Sequence, residues 1–583
     1  MERLIRGALG EVKADLIISG GKLVNVYTGE ILEGVEIAVV DGRICYVGPS
    51  AKHTCGSDTD VLDAAGCYIA PGFIDGHTHF GHYARPFENL QSFLPHGTTA
   101  VVASCDEMST VFGLRGLKLF LDEVERHPLR VYTLVSMVAP QDPLLCSTAA
   151  FTNDEIAEAL ADPRVHGMGE IVSWLRVLHC DEELLDRLEL ASRSGQIIHG
   201  HTAGARDQKL CAVASVGISS CHEPIRFEEA LERLRLGYWT MLREGSLRQD
   251  LAETLPQLLR TGVSLQRLIL VTDSMTPDDI EERGHMDHVV RRAMALGLSP
   301  LQAIRSVTLN PATYSGLEQE IGGIAPGRFA DIALLDDLER CQVRDVLIAG
   351  HVVARNGVSD VTREPMTLPR ELMSSLRLAL PIAEEVFVIP APNSKPKVRV
   401  MELLNQTITA ERIVEFSAPG GIVEASLSAD LLKVAIFDRH RSSAAIAFGF
   451  LKGLGVKVGA IGLTTNLDEN TLMVVGSDNR DMASCAQTLL EAGGGMAIVD
   501  HGTVLDKIEF PCGGIFSLLP WQEVGKGLRR FQIRLKEMGS PLDKPIFALN
   551  FLPFVTLPAL RITARGLVDV KARRIVPLFA DPS

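Results

Sequence analysis

The stretch Pro71-Gly-Phe-Ile-Asp-Gly-His-Thr-His-Phe80 decides the fold expected of this chain. Ile69, Ala70 and Phe73 flank a Pro-Gly turn, and the segment closes on His77-Thr78-His79. On an extended strand, side chains two residues apart point to the same face. Both imidazoles therefore address one point in space, which suits two ligands of one metal ion. A pair of surface or core histidines is the plain alternative. The strand-like lead-in and the polar residues downstream favour ligands.

Upstream, Ala14-Asp-Leu-Ile-Ile-Ser19, Lys22-Leu-Val-Asn-Val-Tyr27, Val35-Glu-Ile-Ala-Val-Val40 and Arg43-Ile-Cys-Tyr-Val-Gly48 are each of strand length. Gly20-Gly21, Thr28-Gly29 and Asp41-Gly42 separate them with turn chemistry. The same rhythm returns over Pro326 to Asp336, Val343 to Gly350 and His351 to Gly357. The expectation is a small antiparallel β-sandwich domain, residues 1–72 with 322–365, made from both flanks of a larger inserted domain.

Inside it, strand-like runs alternate with helical ones. The strands are Thr98 to Ser104, Arg130 to Ser136, His166 to Ile171, Gln196 to Gly200, Gly217 to Cys221, Gly237 to Leu242 and Leu268 to Thr272. The run before His77 makes eight. Amphipathic stretches such as Asp181 to Ser194, Phe227 to Leu236 and His288 to Leu296 fall between or after them. Eight βα units in about 240 residues is the arithmetic of an α/β chain folded as a (β/α)8 TIM barrel, here residues 73–321. A doubly wound sheet is the alternative. Polar residues at the C-terminal ends of several separate strands favour the barrel. Residues 366–397, rich in proline with Pro369, Pro381, Pro390, Pro392 and Pro396, read as a linker. Residues 398–583 read as a C-terminal α/β domain, with Val434 to Phe437 and Leu472 to Val475 as strands. Gly493-Gly494-Gly495 lacks the Lys-Ser/Thr of a phosphate-cradling loop, so it reads as a turn or a close backbone approach.

The bulk composition narrows the partners. With 46% hydrophobic and 22% charged residues, the 583-residue chain has the balance of a soluble globular protein of several domains. Its formal charge of −16 provides no basic footprint for nucleic acid. Eleven scattered cysteines without CxxC pairs, no signal-like start and no long apolar run point to a reduced, cytoplasmic protein with no membrane span.

Beyond His77 and His79, residue types that bind divalent metals arrive one per strand end. Glu170 ends Gly167-Met-Gly-Glu, His201 ends Ile197-Ile-His-Gly-His, His222 ends Ser219-Ser-Cys-His, and Asp273 ends Leu270-Val-Thr-Asp. His199 competes with His201 at the same two-residue spacing, and Asp273 could instead cap the helix that starts near Pro277. Four imidazoles and two carboxylates exceed one tetrahedral ion and can hold two if a carboxylate bridges. The expected chemistry is attack of metal-generated hydroxide on an electrophilic carbon, with a carboxylate shuttling the proton. Asp273 is the expected base, and Glu223 beside His222 and Glu107 are second candidates. Glu107 has a bland alternative as a first-turn residue of the helix Met108 to Leu114.

Pro71 to His79 and Pro326-Gly-Arg-Phe-Ala-Asp331 resemble the opening and closing motifs of the amidohydrolase superfamily. Along nearly its full length the chain is similar to the bacterial adenine deaminase family. His96-Gly-Thr-Thr-Ala100, Gly167-Met-Gly-Glu170, Gly200-His-Thr-Ala-Gly204, His222-Glu223, Thr272-Asp273 and Gly284-His-Met-Asp-His288 carry that resemblance. So do Gly449-Phe-Leu-Lys-Gly453, Gly493 to Gly495 and Ile562 to Val570 in the C-terminal part. The resemblance implies a metal-loaded barrel inserted in a β-sandwich and hydrolysis of adenine to hypoxanthine and ammonia. It further implies two divalent ions, iron or manganese with zinc as a further option, bridged by Glu170, and a homodimer or larger assembly. The substrate-side motifs depart from the family at Gly81-His82-Tyr83, Ser104-Cys105-Asp106, Ser274 and Leu467-Asp468-Glu469-Asn470-Thr471. A different amino-heterocycle, a cyclic amide, or a non-catalytic barrel homologue are therefore the competing readings.

Overall fold

A computed structural model of the chain describes residues 1–376, 378, 382–440 and 446–580. Pro381, counted above with the proline-rich stretch, lies outside them. Eight strands alternate with helices: β1 Phe73–His79, β2 Thr98–Ser104, β3 Arg130–Val135, β4 Val165–Ile171, β5 Ile197–Gly200, β6 Ser220–Cys221, β7 Trp239–Arg243 and β8 Leu268–Val271. β5-β4-β3-β2-β1 and the short strand Asp273–Ser274 form one curled parallel sheet, and β6, β7 and β8 form a second. Asp273–Ser274 follows β8 directly and pairs with Thr78 and His79, so the two sheets meet beside the histidine pair.

Every residue of β2 is buried, as expected for a parallel strand covered on both faces. The helices present apolar stripes to the strands. In Glu182–Arg193, capped by the Asp181 carboxylate accepting from Leu184 N–H, the buried apolar positions are Leu184, Leu188 and Ala191. Val101, Val135, Met168, Phe120, Ile156 and Leu188 belong to one packed core. Pro71 ends a strand of a flanking sheet and Phe73 begins β1, so the Pro-Gly turn is the crossing between two sheets.

The flanking sheets join both ends of the sequence around this unit, with Tyr68–Pro71 pairing antiparallel to Ile332–Asp337. They are not purely antiparallel. Leu16–Ser19 pairs parallel with Asp60–Asp63, and Lys22–Asn25 pairs parallel with Tyr68–Pro71. The hairpin Glu36–Val40 and Arg43–Gly48 lies inside the first of these connections, which is long enough for the chain to return in the same direction.

The C-terminal region also differs from the α/β expectation. It is an eight-stranded sheet whose neighbours all pair antiparallel, apart from Lys397–Leu403 with Ile446–Lys452, and Asn479–Glu491 and Trp521–Glu537 are its long helices. The connections decide this. Asp500 pairs with Thr503 across His501-Gly502, both at positive φ, a two-residue loop that only a hairpin can use. Gly494 sits at φ +128°, where a Cβ would strike the Gly514 backbone, so the triple glycine is a close backbone approach. The proline-rich stretch is anchored by Leu372 and Phe387, both buried. Phe516–Ser517 pairs with Tyr83–Ala84, attaching the C-terminal region just beyond the His-x-His strand. All eleven cysteines are free, and among the described residues no helix is long and apolar enough to cross a membrane.

Candidate metal centre

The C-terminal ends of the parallel strands converge on one cavity. β1 brings His79 to its lining with the fully buried His77 beside it, their Nε2 atoms 3.2 Å apart. β4 supplies Glu170, whose Oε2 lies 2.6 Å from His201 Nδ1 and 2.9 Å from His222 Nε2, and whose Oε1 lies 3.6 Å from His79 Nε2. Asp273, just past β8, has Oδ1 at 3.4 Å from His77 Nε2 and 3.6 Å from His79 Nε2. It holds φ 64°, a left-handed conformation costing a non-glycine residue about 1–2 kcal/mol. The helix behind it begins after Thr276, so Asp273 is not its cap. All six residues expected as ligands thus fall in overlapping groups of donors: His77, Glu170 and His222; His77, His79 and Asp273; His201, His222 and Glu223; and His79, Asp106 and Glu170. His199, the competitor of His201, joins none of these groups among the described residues. It is buried beside His77, with ring centroids 5.7 Å apart.

The donor set suits a divalent cation. His79 Nε2 has His77 Nε2 at 3.2 Å, Glu170 Oε1 at 3.6 Å and Asp273 Oδ1 at 3.6 Å, a crowding of ring nitrogens and carboxylate oxygens that a shared cation would satisfy. Asp106, Glu107, Glu170, Glu223 and Asp273 line the cavity with two guanidiniums, those of Arg243 and Arg248, leaving an excess of negative charge among the imidazoles. Borderline imidazole and hard carboxylate ligands together match zinc, manganese or iron.

Electrostatics keep the carboxylates ionised. Burial opposes charge on Glu170, but His201 and His222 hold its carboxyl well below the usual range. Burial likewise opposes charge on Asp273, and the hydrogen bond with His77 and the Arg243 charge outweigh it. Burial raises Glu223 too, yet Arg243 brings it down to about 2. Arg243, fully buried at the end of β7, is the hub: it pairs with Glu223, donates to Asp273 Oδ2 at 3.1 Å and pairs with Asp250 at 2.7 Å. Gly245 permits this approach, since a Cβ there would fall on the carbonyl oxygens of Thr272 and Ser274.

Sequence reasoning did not single out Arg243, and it marked His82 and Asp106 only as parts of substrate-side departures, without a role. Asp106 Oδ2 lies 2.9 Å from His79 Nδ1. His82 Nδ1 lies 3.0 Å from Glu107 Oε1, and its Nε2 lies 3.0 Å from Asn470 Oδ1. Glu107 is the second residue of the helix Asp106–Phe112, which starts two residues earlier than expected. It lines the cavity without joining any of the close donor groups. The available signal was weak: an arginine closing an otherwise apolar strand, and an Asp-Glu pair directly after β2.

The C-terminal region roofs the cavity. Leu467, Asp468, Phe547, Phe551, Phe554 and Leu557 line it opposite the strand ends. The Phe554 ring centroid lies 6.3 Å from that of His201 and 5.3 Å from that of Phe551. Asp468 accepts from Gln141 Nε2, and burial pushes its carboxyl up to about 8.

Two family models match the sequence. The amidohydrolase family covers residues 68–353, and the adenine deaminase C-terminal domain covers residues 406–574. The adenine deaminase of Cenarchaeum symbiosum (strain A) is 38% identical over 580 residues, spanning 100% of this chain and 95% of the relative. The chain belongs to the adenine deaminase family of amidohydrolases. Another family member, the adenine deaminase of Moorella thermoacetica, is 39% identical over 582 residues, 99% of this chain and 97% of its own. The solved structure of molinate hydrolase aligns with 61% of this chain and 99% of its own at 17% identity, with a TM-score of 0.45.

Proposed function

We propose that this chain hydrolyses adenine to hypoxanthine and ammonia, and that His77, His79, Glu170, His201, His222 and Asp273 hold two divalent ions, manganese or iron, with Glu170 shared between them. The convergence of these side chains at the strand ends, in a chain similar over its whole length to adenine deaminases, carries the reading. When bound, the metal acidifies water and polarises the ring, the two requirements for attack at the amino-bearing carbon. Asp273 is the general base. Arg243 anchors Oδ2 while Oδ1 faces the histidines, so Oδ1 is placed to take the proton of the attacking water and return it to the departing amine. Glu223, held ionised by the same guanidinium, and Glu107, held by His82, are second sites for that proton.

The two parallel sheets are read as one (β/α)8 barrel over residues 73–321, inserted in a β-sandwich of residues 1–72 and 322–365. Gly200 N–H donating to Ser220 Oγ at one junction and Asp273–Ser274 pairing with β1 at the other support that closure. Residues 366–397 link it to a C-terminal domain, 398–583, that covers the site. The test is direct: manganese-loaded protein given adenine releases ammonia and hypoxanthine in equal amounts. Failure to release ammonia from adenine overturns the reading.

A further inference from the structure

Among the cavity's polar side chains, Asp468 is the carboxyl brought by the C-terminal region, near enough to Asp106, Glu170 and His79 to feel their charges. It joins none of the close donor groups, and it comes from the C-terminal region, 327 residues beyond its partner Gln141. Gln141 Nε2 donates to Asp468 Oδ2, and no other hydrogen bond to the carboxyl is made by the described residues. Gln141 is itself buried, so the pair is held in place. With Oδ2 taken by Gln141, the other carboxyl oxygen is left open to the cavity, an acceptor position for a donor from a ligand. Around it Leu467, Phe551 and Phe554 offer faces that suit a planar heterocycle.

We propose that Asp468 is a specificity residue of this site, its Oδ1 accepting a hydrogen bond from the imidazole N–H of the free base. This rests on the adenine reading above. The amino-bearing carbon of adenine has to face the strand-end cluster, which turns the other half of the purine towards the C-terminal wall. The N–H of that half is present in adenine and in hypoxanthine, and is lost when N9 carries a substituent. A site built to pair with a substrate N–H rejects the analogue lacking it, because its own buried group is then left bare. The C-terminal region would thereby select free bases over N9-substituted ones.

The experiment measures adenine turnover, and inhibition by hypoxanthine and by 9-methylhypoxanthine, in the manganese-loaded parent, Asp468→Ala and Asp468→Asn. Asp468→Ala is expected to raise KM for adenine and the inhibition constant of hypoxanthine together, each on the order of 100-fold, with kcat within about threefold. Asp468→Asn keeps an acceptor and is expected to lose only about tenfold in the same two constants. The parent's preference for hypoxanthine over its 9-methyl derivative should largely vanish in Asp468→Ala. Metal content is expected to stay at the parental level, and if the alanine variant melts early the asparagine variant carries the test. A fall in kcat with both binding constants unchanged would overturn the proposal and make Asp468 a proton-transfer group. Unchanged constants throughout, in an active parent, would overturn it with the adenine reading intact. A parent inert towards adenine removes both.

Discussion

On the floor of the cavity, His77, His79 and Glu170 stand on strands whose backbones are paired to neighbours on both sides. Over it, Phe551, Phe554 and Leu557 follow the six-residue helix Pro545–Asn550 and hang from side-chain bonds. Arg561, buried and without a carboxylate partner among the described residues, donates to the carbonyls of Phe551 at 2.9 Å, Leu557 at 2.9 Å, Pro558 at 2.7 Å and Thr407 at 2.5 Å. Leu467 N–H donates to Asn550 O, and Asn550 Nδ2 donates to Tyr83 OH. The floor concentrates charge on rigid backbone, as the positioning of reacting groups requires. The roof is largely apolar, with Asp468 as its carboxyl, and is stitched to distant segments. On the reading proposed above, chemistry and admission belong to parts of the molecule with different mechanical support.

If that division holds, damage to the floor should abolish reaction, and damage to the roof should change what binds. Glu170→Gln is expected to lower metal content and reduce turnover by about 10³-fold or more, because the carboxylate proposed to be shared loses its charge. Asp273→Asn should keep most of the metal and still lose roughly 10²- to 10³-fold in kcat. Metal analysis beside an ammonia assay separates the two, and a Glu170→Gln protein with parental metal and activity would break the division at its centre.

Glu469 tests the stitching between the two regions through pH. Its carboxylate accepts from Ser147 N–H at 2.9 Å and Ala564 N–H at 3.1 Å, but burial outweighs both and pushes it up to about 7. Between its unfolded value near 4.5 and about 7, the folded state binds the extra proton, so stability falls as pH rises through that window. Glu469→Gln removes the titration. Its constant offset reports the disturbed hydrogen bonds, while the parent's advantage should shrink by on the order of 3 kcal/mol from pH 4.5 to 7. Melting curves across this range that stay parallel would show that Glu469 does not titrate there.

The smallest effect is expected at the aromatic wall. Phe554→Ala should raise KM for adenine about tenfold, the worth of one stacking contact, with metal content and kcat near parental. A kcat loss matching that of Asp273→Asn would mean the roof shapes the reaction as well as admission.

The floor was the legible half. A strand has a period of two, so His77-x-His79 announces a shared face, and a polar residue closing an apolar run announces a strand end. Glu170, His201, His222 and Asp273 each carry that local mark. Arg243 carries it too, but a lone arginine has no ligand chemistry to draw the eye until Glu223, Asp250 and Asp273 are seen around it. The flanking sheets were legible as strands and not as pairings, because strand direction follows from the path of the connections. The C-terminal sheet was likewise legible as strands, at Val434 to Phe437 and Leu472 to Val475, and not as pairings.

By itself, then, the sequence determined the kind of chemistry: which residue types stand at the ends of which strands, since that depends on neighbours a few residues away. Only the tertiary structure decided the enclosure. Asp468 meets Gln141 across 327 residues and His82 meets Asn470 across 388, contacts that no local pattern encodes because they exist only once two separately formed sheets are packed together.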